Sequence, residues 1–274
     1  MEGTISWPKT ALAALIALAF LLPFAFLIAT VIRTPEDFAA NPGGLPGSFT
    51  LDNLVQAWRD ANLGRALVVT LQVSVVACLV CLGAALPAAF WFRLHRGLFP
   101  SLLRNVLIAG YAIPMIAWLI PVFVMLAQFG LTGNVAIAGV LNGVASLPFA
   151  IYFLYTYFLL VLSDDILDAA ALDGANVHTQ FWRIAVPLSR PALTSAAVLV
   201  FVWTFGDLLV AATLLQAVPE NYTLPLAATT LATRDSVNLQ GQAAAALVSL
   251  IPVLVIFAFA QRWLVAGFGG NSEK

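Results

Sequence analysis

A chain of 274 residues that is 62% hydrophobic and 9% charged, with a mean hydropathy of +0.97, is excluded from the ordinary soluble domains and has the composition of an integral membrane protein. Its net charge of −1 says little about partners, because in such a chain the placement of charge outweighs its sum, and no basic patch for nucleic acid is present. Lysine occurs only at Lys9 and Lys274, which excludes a GxxxxGK[ST] phosphate loop, so any ATP is handled by another chain.

Residues 11–32 are an uncharged run of 22 behind Lys9, and a spanning helix needs about 20 such residues. The first span is placed there. A cleaved signal peptide fits less well, since the apolar core is too long and no small-residue cleavage site follows promptly. Residues 33–65, rich in Pro, Gly and charge, form an aqueous segment in which Leu51, Leu54, Val55 and Trp58 share one face of a short helix capped by Thr50. The second span covers 66–92. Within it Cys78 and Cys81 read as small buried hydrophobes rather than a redox or metal pair, since no other soft ligand is near and a thiolate in lipid is disfavoured.

Arg93, His95, Arg96 and Arg104 crowd the next connection. No charge then occurs from 105 to 163, about twice the length one helix needs. Two spans, 105–128 and 136–162, therefore join at a turn of Gly130, Thr132, Gly133 and Asn134. Pro114 and Pro121 are expected to kink the third span.

Residues 163–191, SDDILDAAALDGANVHTQFWRIAVPLSRP, are polar yet wedged between apolar runs. Leu162, Ile166 and Ala169 or Ala170 recur at helical spacing, with Ser163 or Asp164 available as cap and Asp164, Asp165 and Asp168 near the positive end of the helix dipole. Gly174 permits a tight helix end. A second short helix, 177–184, presents Val177, Phe181, Trp182 and Ile184 until Pro187 and Pro191 halt it. Exposed aromatics among so few charges mark a docking element. A fifth span, 192–216, a polar loop with Glu220, Asn221, Arg234 and Asp235, and a sixth span, 242–262, complete an all-α, six-helix chain. An inside amino terminus puts Lys9, Arg93, Arg96, Arg104, Arg183, Arg190, Arg262 and Lys274 in the cytoplasm and Arg33, Arg59, Arg65 and Arg234 outside, which the positive-inside rule favours and which makes both termini cytoplasmic.

Asp207 is the only acid within an expected span. A charge near the bilayer centre costs roughly 2.5–3.5 kcal/mol on insertion scales, so Asp207 should face protein or a wet cavity. Trp203 and Thr204 share its face at i−4 and i−3. With Asn142 and Ser146 of the fourth span, these residues are a candidate solute path. An indole, hydroxyls and a carboxylate suit a sugar. A structural role for Asp207, bonding a donor on a neighbouring helix, stays open.

The spacing of Asp168, Ala169, Ala170, Gly174, Ile184, Val186 and Pro187 resembles the "EAA" cytoplasmic loop of ABC importer permeases, with Asp168 where that family prefers Glu and Val186 where it prefers Leu. SFTLDNL at 48–54 is similar to the FTxxNY segment of sugar-importer permeases, and PFAIYFL at 148–154 falls in register. The resemblance, over roughly 48–265, is to the carbohydrate branch of type I ABC importer permeases. Phe205-Gly206-Asp207 stands where many relatives carry Trp-Asn-Asp, which leaves the solute class open. The resemblance implies a MetI-like fold in a prokaryotic inner membrane and a transport role without catalysis. It implies no cofactor in this chain, ATP and Mg being held by the partner. Expected partners are a second permease subunit in a heterodimer, two copies of a nucleotide-binding ATPase, an extracytoplasmic solute-binding protein and the lipid bilayer. Asp168, Ala169, Ala170, Asp173, Gly174, Phe181, Ile184 and Pro187 would meet the ATPase, which drives alternating access. The other reading is an ion-coupled secondary transporter using Asp207 as relay; it leaves 163–191 unexplained.

Overall fold

The structure, a computed structural model, describes residues 7–232 and 238–268. Arg234, Asp235 and Lys274, which the sequence placed in an outer loop and an inner tail, lie outside the described residues, as do the side chains of Lys9 and Arg262. The helices are α1 (Trp7–Val31), α2 (Pro35–Ala40), α3 (Asp52–Asp60), α4 (Leu63–Leu94), α5 (Leu98–Tyr111), α6 (Met115–Gln128) and α7 (Val135–Val161). They continue as α8 (Asp164–Leu172), α9 (Val177–Gln180), α10 (Val186–Leu188), α11 (Arg190–Phe205), α12 (Leu209–Leu214), α13 (Leu224–Thr229) and α14 (Leu239–Phe268). Four of them, α1, α4, α7 and α14, are long and apolar enough to cross a membrane alone. Two bent pairs also pass that test: α5 with α6, meeting at 91°, and the 177–188 stretch with α11, meeting at 71°.

The breaks differ from a continuous-span reading for local reasons. Residues 105–128 fall on two helices because Pro114, with no N–H to donate, stands as the cap before α6, whereas Pro121 is carried inside α6. Residues 192–216 are interrupted after Phe205. There Asp207 turns its side chain onto the first N–H groups of α12, a local bond that competes with helix continuation.

The chain forms two compact units, Met1–Gly64 with Ala227–Ile251, and Arg65–Leu226 with Pro252–Lys274. The first is built on a buried guanidinium. Arg33, 1% exposed, donates from Nε to Asp37 Oδ2 at 2.8 Å and from Nη2 and Nη1 to the carbonyls of Asp37, Asn41 and Gly44. Asp37 also accepts from Gly47 N, Ser48 N and Ser48 Oγ, and the Arg33 guanidinium holds its carboxyl well below the usual carboxylate range. Asn53 Nδ2 donates to the Val31 and Arg33 carbonyls at 2.7 Å, tying α3 to the end of α1.

In the second unit α7 is central, packing on α5, α11 and α12. Its approach to α4 depends on two glycines one turn apart. A Cβ on Gly139 would stand 2.9 Å from Val73 O, and one on Gly143 would stand 2.8 Å from Ala77 O. Small residues of this kind let helix backbones pack closely in a membrane. Cys81, Phe90, Leu154, Phe158 and Val200 form one buried cluster, and Val69, Leu119, Val210 and Leu214 another. Cys81 is fully buried and Cys78 lies 3.5 Å from Ala197 O. Gly143→Leu should force α4 and α7 apart at a cost on the order of 1–3 kcal/mol, read as a lower Tm of the purified protein. Gly83→Leu, where a Cβ meets nothing within 4 Å, should leave Tm unchanged.

Candidate functional site

Two features of the second unit carry the chemistry, and α7 touches both. The first is the corner where α7 meets α8. Helix α7 leaves Leu162 as its C-cap, and Ser163 Oγ accepts from Ile166 N to cap α8. Arg93 in the last turn of α4 is 5% exposed. Its Nε donates to Leu162 O at 2.8 Å, while Nη2 reaches that same oxygen and Asp164 Oδ1. Arg96 donates to both Asp164 oxygens at 2.7 Å. These bonds, Arg93 first and Arg96 next, hold the Asp164 carboxyl below its ordinary value. Three chain segments are thereby fixed by one cationic pair.

Helix α8 buries Leu167 and Ala170 and exposes Asp168, Ala169 and Asp173. Leu172, at its end, is 90% exposed. Gly174 adopts φ +82°, a left-handed conformation that suits glycine. Ala175 N then bonds Ala170 O and Gly174 N bonds Ala171 O, closing the helix end. Asn176 Oδ1 accepts from Thr179 N to start α9, and the buried Gln180 Nε2 donates back to Ala175 O. A wide turn follows over Phe181–Ala185, in which Val186 N reaches Phe181 O. Pro187 and Pro191 sit in the first turns of α10 and α11, where a missing N–H costs nothing.

The two aromatics of this stretch part company. Trp182 is exposed, but Phe181 is half-buried with its ring 5.3 Å from that of Phe90. Phe181 and Ile184 pack on the Phe90–Phe158 core, because the α9–α10 segment lies along that cluster. The expectation of an exposed Phe181 is therefore corrected. The most exposed large apolar side chains of the stretch are Leu172, Val177 and Trp182. Asp168 lines a polar cleft of about 370 Å³ with Arg93, Arg96, Asp164 and Gln180. Ala169 is exposed, Ala170 buried and Pro187 half-buried.

The second feature is a cavity of about 600 Å³ bounded by the α5–α6 break, the middle of α7 and the end of α11. All five residues expected on the solute path, Asn142, Ser146, Trp203, Thr204 and Asp207, line it. Asp207 Oδ1 accepts from Leu209 N at 3.2 Å and Oδ2 from Val210 N at 3.1 Å, and Asn142 Nδ2 stands 3.5 Å from Oδ2. Asn142 also donates to Ala138 O, and Ser146 Oγ to Asn142 O. Trp203 is half-exposed and its ring lies edge-on to Phe149 at 4.7 Å. Tyr111 and Trp118 complete the wall. Hydropathy overlooked them, and only Pro114 between them hinted at a break there.

The corner's charge has a pH signature. Asp164 has a folded pKa below its unfolded value, so its contribution is present above about pH 4 and is lost as pH falls through the depressed value. Amide exchange over residues 163–172 should accelerate as pH falls below about 4, beyond the intrinsic pH dependence. In Asp164→Asn that excess should be absent.

The comparisons with known proteins match this architecture. Residues 80–269 match the family described as "Binding-protein-dependent transport system inner membrane component". The chain is 27% identical to the Melibiose/raffinose/stachyose import permease protein MelC of Bacillus subtilis, over 97% of this chain and 95% of that protein. It is 32% identical to the Osmoprotective compounds uptake permease protein GgtD of Synechocystis sp., over 82% of this chain and 76% of that one. Among solved structures, a chain of a bacterial ABC transporter involved in the import of the acidic polysaccharide alginate superposes with a TM-score of 0.74 at 21% identity. That match covers 93% of this chain and 94% of the other. With the family matched over most of its length and the fold shared over 93% of it, the chain belongs to the inner-membrane components of binding-protein-dependent transport systems.

Proposed function

We propose that this chain is one of two permease subunits of an ATP-driven importer for a sugar or sugar-like solute, and that it forms half of the translocation path. The observation that carries the reading is that one helix bears both features. Asn142 and Ser146 of α7 stand on the cavity wall, while the carbonyl after its last turn, Leu162 O, is clamped by Arg93 at the exposed corner. A displacement of the corner is thus passed along α7 to the cavity. Trp203 offers an indole face to the apolar side of a sugar ring, and Asp207, Asn142, Ser146 and Thr204 offer partners for hydroxyls. Curated relatives named as permeases for melibiose, raffinose and stachyose and for diacetylchitobiose support the sugar class.

In this reading the 163–191 stretch lies in the cytoplasm, as do both termini. Leu172, Val177 and Trp182 enter a groove of a nucleotide-binding subunit, two copies of which bind ATP and Mg and hydrolyse the nucleotide. Asp168 meets a cation of that subunit across the polar cleft, and a solute-binding protein delivers cargo from outside. The family description and a matched transporter structure that includes a substrate-bound periplasmic protein support the last partner. An ion-coupled mechanism is not favoured. Among the described cavity residues no second acid or histidine stands beside Asp207 to continue a relay, and the exposed corner would have no purpose.

Reconstitution with the second permease, the ATPase and the binding protein tests this. Uptake of labelled neutral oligosaccharides into liposomes should require ATP and the binding protein, and loaded binding protein should stimulate hydrolysis. Leu172→Asp removes an apolar anchor, and a loss of about tenfold or more in uptake is the scale expected for an interface hot spot. Gly174→Val forces a β-branched residue to positive φ, at roughly 1–2 kcal/mol, and should uncouple uptake from hydrolysis while the chain still inserts. Uptake that an ion gradient drives without the ATPase would overturn the proposal.

A further inference from the structure

The cavity between the α5–α6 break, α7 and α11 carries an unbalanced charge. Among its described lining residues Asp207 is the one charged side chain, and the other polar groups are hydroxyls, an amide and indoles. The arginines of this unit whose bonds are described are engaged elsewhere: Arg93 and Arg96 at the corner, Arg104 on Tyr155 Oη and Arg65 on Glu220 O. No lining cation offsets the carboxylate. Its two oxygens receive Leu209 N, Val210 N and Asn142 Nδ2, an arrangement suited to the ionised form.

We infer that Asp207 makes this cavity anion-excluding: it takes uncharged, polyhydroxylated solutes and turns away sugars that bear a carboxylate or a phosphate. The inference rests on the proposed reading of the cavity as the solute path. A second negative charge held about 5 Å from Asp207 would lower occupancy by roughly ten- to a hundredfold at the effective dielectric of a partly wet protein site. A hydroxyl donor loses nothing and gains a charged acceptor. The superposed importer is one for an acidic polysaccharide, and at 21% identity its cavity chemistry does not transfer.

The test uses charge-matched thiol reagents on the assembled complex, with this chain's own cysteines removed (Cys78→Ala, Cys81→Ala). Ala145, on the cavity wall three residues after Asn142, is replaced by Cys. Modification of this chain by cationic trimethylammonium-ethyl and anionic sulfonatoethyl methanethiosulfonate is followed by mass. The cationic-to-anionic rate ratio should exceed that of a free thiol by about tenfold, and Asp207→Asn should return it to the free-thiol value. A parent ratio equal to the free thiol, or a ratio that Asp207→Asn leaves unchanged, overturns the inference. Should Asp207→Asn fail to assemble, Val144→Lys, which adds a lining cation with Asp207 in place, should abolish the excess; persistence of the excess also overturns it. No transported solute is needed. A biased cavity in a chain that moves no sugar would contradict the proposed function alone, and sugar uptake through an unbiased cavity would contradict this inference alone.

Discussion

The guanidinium of Arg93 is the constraint on which the working parts of this chain depend. A helix end leaves carbonyls without partners, and in a membrane protein such a group must be satisfied by the protein itself or by water. Arg93 satisfies the Leu162 carbonyl and in the same motion pairs with Asp164, the first residue of α8. Bonds to a charged donor contribute about 1.5–3 kcal/mol where the donor is buried, whereas the Asp164 end is half-exposed and worth less. The larger part of the clamp is thus the bond to the α7 terminus. This makes the α7–α8 corner a lever fixed to α4 rather than a loop free to fold away under load.

The cavity follows from the same accounting of backbone groups. Both interruptions within apolar sequence, at 112–114 and 206–208, fall on its wall or next to it. Non-helical backbone at membrane depth is tolerated only where protein or a wet cavity satisfies it. Asp207 serves this need while lining the cavity, since its oxygens accept the N–H groups that the interruption frees. The structural and functional readings of Asp207 are therefore not rivals. A carboxylate that caps α12 is held still, and a fixed charge at the wall discriminates better than a mobile one.

Much of the α7–α8 corner was legible in sequence because its signals are local. Ser163 three residues before Ile166 and a glycine at the helix end are short-range capping patterns, and the structure uses both. The cavity residues around Asp207 were legible for a similar reason: a lone acid in an apolar run must face protein, and i−3 and i−4 partners come with it. What sequence did not show is long-range. Arg93 and Asp164 are 71 positions apart, and nothing in the charge pattern singles out Arg93 over its neighbours Arg96 and Arg104 for burial. The break at Ala112 to Pro114 is invisible to hydropathy, because the chain stays apolar through it. The burial of Phe181 against Phe90 depends on where α4 ends. Leu172 drew no notice because a leucine at a helix end gives no periodic signal, and only its exposure marks it.

The central claim is that this corner is where a nucleotide-binding subunit seats, and Leu172 reports on it most directly. With Cys78 and Cys81 replaced, Leu172→Cys can be titrated with a membrane-impermeant thiol reagent in vesicles that present the cytoplasmic face, with and without the ATPase subunit. Leu45→Cys in vesicles of opposite orientation serves as a control on the 41–51 segment, Leu45 being 91% exposed. The account predicts that assembly slows modification at 172 by about tenfold or more, as expected for a desolvated interface anchor, and leaves that at 45 unaffected. Equal rates at 172 in a complex shown to be assembled would contradict it.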